Sequence, residues 1–243
     1  MASPLSQFEI KTLIPIEVFG YDISFTNSSL AMLITIASIL LFMIIGLKSS
    51  NIIPSRKQSM LELSYEFIAN MIIDNVGKAG MKYLSFIFSL FMFILIGNLL
   101  GMFPYSFTWT SHIIVTFSIA FFIFLAVTVI AISKHGLVKF LKFFAPSGVP
   151  KPMLLLLVPI EIISYLSRPI SLSVRLFANM MAGHTMMKVF GGFVISLGIV
   201  GGWLPLSFSV ALTGLEILVA FLQAYVFAIL TCIYLNDALN LHH

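Results

Sequence analysis

The sequence predicts an all-α membrane protein of about five transmembrane helices plus one interfacial amphipathic helix, the last two helices long, strongly tilted and antiparallel. Three observations carry this. The 243 residues are 60% hydrophobic and 9% charged, against about 25% charged in a soluble domain, so there is too little polar surface to coat a water-soluble particle. Several apolar runs reach the roughly 20 residues that a bilayer crossing needs. The charges between those runs differ from loop to loop in the way that fixes membrane orientation.

Residues 1–27 carry Glu9, Glu17 and Asp22 against Lys11, with no basic start followed by a short apolar core, and read as an outer segment rather than a signal peptide. The run 28–47 has no charge before Lys48 and reads as a first span. Residues 54–82 open with Pro54 and interleave charges with Leu61, Tyr65, Ile68 and Ile72 at helical spacing. They predict an amphipathic helix on the inner side. Spans follow at 84–103 and 111–133, separated by an uncharged turn with Pro104. The 134–152 loop has Lys134, Lys139, Lys142 and Lys151 and no acid.

From 153 to 201 the apolar character runs too long for a perpendicular span. A continuous helix there would approach 70 Å, against a hydrocarbon core of about 30 Å. Pro159 and Pro169 offer bend points, and Gly191–Gly192 and Gly201–Gly202 offer turn positions. The stretch 205–235 is also over-long, so two inclined helices joined near residue 202 are predicted within a single membrane domain. Basic residues concentrate at 48–82 and 134–152, which places both segments and the C-terminus inside and the N-terminus outside.

The net charge of +4 is accounted for by these loops, and nucleic acid is not an expected partner. Cys232 lies in an apolar run, reads as a small core residue and has no disulfide partner. No phosphate-binding GxxxxGK[ST] loop, HExxH or GxSxG motif appears, so neither a cofactor nor catalysis by this chain is expected. Gly97 and Gly101 form GxxxG and read as a helix-packing pair, with Asn98 between them. His112 opens a span and reads as an interface residue. Asn27-Ser28-Ser29 fits a glycosylation triplet, a common pattern that carries little weight.

The last two helices hold polar groups where they are costly, at least ~2.5–3.5 kcal/mol for each charge at bilayer depth. Glu161, Arg168 and Arg175 fall seven residues apart on one stripe, with Ser171 one turn before Arg175 and Asn179 one turn after. Arg168 and Lys188 can snorkel toward polar boundaries, whereas Arg175 sits near mid-segment. On the last helix Glu216 and Gln223 are seven apart, with Tyr234 on the same stripe. Folding the hairpin at residue 202 puts His184 and Glu216 at similar outer depth. Gln223 then lies opposite residues near 181, within reach of Arg175, and Glu161 lies on the inner side. His and Glu exchange protons near neutral pH. Arg stays protonated, so it acts as a barrier to hydronium and stabilises a carboxylate brought beside it. This chain offers no mobile carboxylate, so a partner must supply one.

The runs PISLSVRLFANMMAGH (169–184) and LEILVAFLQAYVFAILTCIYL (215–235) resemble subunit a of F-type ATP synthases, supported by GNLLGMFPYSF (97–107) and TSHIIVTFSIA (110–120). The opening QFEIKTLIPIEVFGYDISFTNSSL resembles the alphaproteobacterial and mitochondrial branch. The resemblance covers essentially the whole chain. It implies that Arg175 faces a ring of c subunits carrying the mobile carboxylate. Asn179, His184, Glu216 and Gln223 would line an inlet half-channel, and Ser171 and Glu161 an outlet. It further implies peripheral-stalk b subunits as partners and a multi-pass place in a bacterial inner membrane, the mitochondrial inner membrane being the alternative. Many bacterial relatives carry Glu where this chain has His184 and His where it has Glu216. Many also carry an acid where it has Gly101, which leaves Asn98, with His112 nearby, as outer polar groups of that region. Sodium coupling, a self-contained transporter and an intramembrane enzyme are the competing readings. Sodium would need oxygen ligands. A transporter would need paired broken helices in two related halves, and the polar groups here cluster in the C-terminal half.

Overall fold

A computed structural model describes residues 9–15, 17–18, 21–22, 24–48, 54–103, 106–144 and 151–240. Seven helices appear among them: α1 (Asn27–Leu47), α2 (Arg56–Val76), α3 (Leu84–Gly101), α4 (Ile113–His135), α5 (Leu137–Phe143), α6 (Lys151–Gly201) and α7 (Trp203–Leu239). Five apolar helical segments are long enough to cross a membrane. The molecule is an all-α membrane protein, its last two helices forming an antiparallel hairpin.

Local chemistry explains the helix ends. Thr26 caps α1 by accepting from the Ser29 amide, and Ser55 caps α2 by accepting from the Gln58 amide. Gly77 ends α2 at φ 79°, ψ −173°, a conformation essentially closed to other residues. The 3-10 turn Lys78–Tyr83 then leads into α3. In α2, Leu61, Ile68 and Ile72 are buried on one face while Tyr65 is exposed, so the apolar stripe is narrower than its spacing suggests. A second 3-10 turn, Trp109–Ser111, precedes α4.

Three features depart from the pattern expected. The N-terminal segment holds short antiparallel β pairs, Thr12–Ile14 with Phe25–Thr26 and Glu17–Val18 with Tyr21–Asp22. Asn27 is engaged there: its side-chain amide donates to the Glu9 carbonyl, and its Oδ1 accepts from the Lys11 amide. The basic loop contains α5; its remainder at 145–150 lies outside the described residues. Within α6, helix continues through Pro159 and Pro169, and the departure from helical dihedrals falls at Gly198 (φ 62°, ψ −160°).

The core lies between α3, α4, α6 and α7. Ile87, Ile94, Ala120, Ile123, Leu172, Leu176, Phe227 and Cys232 are fully or almost fully buried. Ala220, Ala224 and Ala228 repeat every fourth residue along the inward face of α7, which lets its neighbours approach closely. The two glycines of the GxxxG motif pack on side chains of the loop after α3 rather than on another helix. A Cβ at Gly97 would stand 2.3 Å from Trp109 Cζ2, and one at Gly101 would stand 2.6 Å from Thr108 Cγ2. Trp109 is anchored in turn: its Nε1 donates to Thr35 Oγ1 of α1 at 3.2 Å.

Candidate functional site

Helices α6 and α7 meet at Gly202 and run in opposite directions, so residue numbers rise on one as their partners fall on the other. Polar pairs that bridge them include Arg168 with Asp237, Asn179 with Gln223, and His184 with Glu216.

Of these, the pair nearest the Gly202 turn, His184–Glu216, is buried, with 4% of each side chain exposed. His184 Nδ1 meets Glu216 Oε1 directly. His184 Nε2 lies 2.9 Å from the Gly101 carbonyl and 2.9 Å from Thr108 Oγ1. A carbonyl oxygen only accepts, so the bond to Gly101 holds a proton on Nε2. Thr108 Oγ1 also donates to Gly101 O at 3.0 Å. The contact of Nδ1 with the carboxyl group then has two chemically consistent forms: an imidazolium facing a carboxylate, or a neutral imidazole accepting from a carboxylic acid. Gly183 makes room for this contact, since a Cβ there would stand 2.8 Å from Glu216 Oε1.

Five residues back along α6 and seven on along α7, the Asn179 side-chain amide donates to Gln223 Oε1 at 2.9 Å. Gln223 thus reaches Asn179 rather than Arg175. Asn98 of α3 is fully buried and its amide points to the Ala220 carbonyl at 3.4 Å, between Glu216 and Gln223 on α7. Asn98 Oδ1, Glu216 Oε2 and Gln223 Nε2 are buried without a protein hydrogen-bond partner among the described residues.

Arg175 stands apart from this network. It is exposed at the protein surface with Ser171, Val174, Ala178 and Ala182 on the same face of α6, while Leu172, Leu176 and Met180 face the core. It makes no hydrogen bond or ion pair among the described residues, although Tyr234 is within its electrostatic reach. Glu161 is half-buried in the first part of α6. His112 stacks on Phe107 with ring centroids 5.1 Å apart, and burial pushes its imidazole below the ordinary value.

Sequence reasoning reached His184, Glu216, Asn179, Gln223 and Asn98, which the structure gathers. It placed Glu161, Arg168, Ser171, Arg175 and Asn179 on one stripe, of which Asn179 joins the network, Arg168 pairs with Asp237, and Arg175, Ser171 and Glu161 stay outside. It did not reach Thr108, which lies in a short loop without periodicity, or Gly183. It also missed the Arg168–Asp237 pair, although the hairpin itself contains the signal: Arg168 lies 34 residues before Gly202 and Asp237 35 after.

A sequence profile described as ATP synthase A chain matches residues 29–236. The chain belongs to this family. ATP synthase subunit a of Pelagibacter ubique is 67% identical over 99% of each chain. That of Rhodospirillum rubrum is 57% identical over the full length of both, and that of Mesorhizobium japonicum 57% identical over 99% of this chain and 97% of its own. These alphaproteobacterial relatives agree with the branch that the N-terminal segment resembles. As a member of the ATP synthase A chain family, the protein is a multi-pass component of the membrane sector of that complex.

Proposed function

We propose that this chain is the non-catalytic proton conductor of the ATP synthase stator. Two offset half-channels open against a rotating c-subunit ring, and Arg175 separates them. The supporting observation is the division of the hairpin. One side of α6 joins α7 through the buried His184–Glu216 pair, and the other exposes the Arg175 guanidinium, which has no partner among the described residues. An exposed guanidinium at that depth calls for a carboxylate on a partner.

On the outer side, protons pass the His184–Glu216 pair and then the polar groups of Asn98, Asn179 and Gln223. Their unpartnered buried atoms call for water to complete their hydrogen bonds. At Arg175 the ring carboxylate is stabilised in its ionised form, and the fixed positive charge blocks a direct leak. Protons leave past Ser171 and Glu161. Peripheral-stalk b subunits hold the chain against the ring, with the N-terminus outside and the C-terminus inside a bacterial inner membrane.

The test is reconstitution of the complete complex carrying Arg175→Ala. ATP-driven proton pumping is expected to disappear while the detached catalytic head still hydrolyses ATP. Native pumping by that variant would overturn the proposal.

A further inference from the structure

Arg168 occupies an awkward place for a proton outlet. It lies seven residues inward of Arg175 on the same stripe of α6, about 10 Å along a helix. Glu161 lies another seven residues inward. A guanidinium does not lose its charge, so a free one here would repel protons that had already passed Arg175.

Side chains of α7 and of α6 itself hold this guanidinium, and α4 braces one of them. Arg168 Nη1 donates to Asp237 Oδ2 of α7 at 3.1 Å, the two side chains being 21% and 38% exposed. Its Cζ stands 4.9 Å from the Tyr234 ring centroid and 5.3 Å from that of Tyr165. The Tyr165 hydroxyl bonds Thr128 Oγ1 of α4 at 2.7 Å. The end of α7 that carries Asp237 is fixed as well: Lys134 Nζ and His135 Nε2 of α4 donate to the Leu239 carbonyl at 2.9 and 3.2 Å. Snorkelling into water does not describe a side chain clasped in this way.

We propose that Asp237 is a positioning residue for proton release: it pairs with Arg168 and masks its charge, so that protons moving inward from Arg175 meet no second bare guanidinium. The inference rests on the proton-path reading above. It concerns charge rather than packing, and therefore separates from a purely structural clamp. Removing Asp237 exposes the cation, whereas removing both partners leaves no cation to expose.

The experiment compares Asp237→Asn, Arg168→Gln and the double variant in the complete reconstituted ATP synthase, with pumping normalised to assembled complex. Asp237→Asn is expected to pump roughly fivefold more slowly at 0.01 M salt and to recover in part at 0.15 M, because the Debye length falls from about 30 Å to about 8 Å. The double variant and Arg168→Gln are expected to stay within about twofold of native, since neither carries an exposed guanidinium at 168. A double variant no faster than Asp237→Asn, a salt-independent defect, or native pumping by Asp237→Asn at low salt would each overturn the inference. Should Asp237→Asn fail to assemble, Arg168→Gln decides: near-native pumping supports masking, and loss of pumping overturns it. Arg175→Ala is measured alongside, and pumping by that variant would overturn the proton-path reading itself.

Discussion

Gly183 is small because Glu216 needs the room. An added Cβ would press on the carboxylate at 2.8 Å from Oε1 and 3.0 Å from Cδ. Overpacking of this kind costs about 1–3 kcal/mol. Gly183→Ala is therefore expected to displace Glu216 from His184 and slow pumping by roughly tenfold, the equivalent of 1.4 kcal/mol. Initial pumping rates of reconstituted complexes check this. His112 gives a pH prediction of definite sign. Its imidazole titrates below the ordinary 6.5 because burial disfavours the charged form. The folded chain therefore binds fewer protons there than the unfolded chain, and stability falls as pH drops below about 6.5. Melting of the detergent-solubilised complex at pH 8 and pH 5.5 should show a drop in the native protein that is smaller in His112→Gln. The meeting of His184 with Glu216 is legible in the sequence because two rigid helices joined at a known turn convert residue counts into depth. Thr108 is illegible for the opposite reason: a loop residue has no period, and its role arises only where the chain folds back on Gly101.

At the scale of elements, the helices are legible because a membrane demands long apolar runs and tolerates charge only between them. The departures fall where that demand lapses. The short β pairs of the N-terminal segment and the helix α5 lie beyond the apolar runs, where sequence periodicity is weak. The break in α6 escapes notice because proline draws attention first. Pro159 and Pro169 remain within helix, where membrane helices can re-satisfy freed backbone groups. Gly198 instead takes a left-handed φ of 62°, four residues before the hairpin turn. The turn depends on Gly202 as well: its amide donates to Gly198 O at 2.9 Å, and a Cβ there would fall 2.5 Å from that same oxygen. Backbone cannot yield as a flexible side chain can. Gly202→Ala is expected to strain the turn by about 1–3 kcal/mol and to lower the melting temperature of the complex, with calorimetry as the check. An unchanged melting temperature would mean that the turn relaxes without loss.

For the whole molecule, the family and its membrane-sector place stand on near-complete matches to relatives. The polar groups of the hairpin divide between two sides of α6. Asn98, His184, Glu216 and Gln223 are buried between α3, α6 and α7, while Arg175 is exposed. This asymmetry bears on how a cell makes the protein. A newly inserted copy without its partner would present a bare guanidinium to lipid, at a cost of at least ~2.5–3.5 kcal/mol. That blemish is visible from outside the fold and vanishes only on assembly. Orphan copies should be cleared faster by membrane proteases than assembled ones, and Arg175→Leu should lengthen the orphan's half-life in a pulse-chase without ring subunits. The residue proposed to separate two proton paths would then also mark the chain as unfinished, timing its survival to the arrival of its partner.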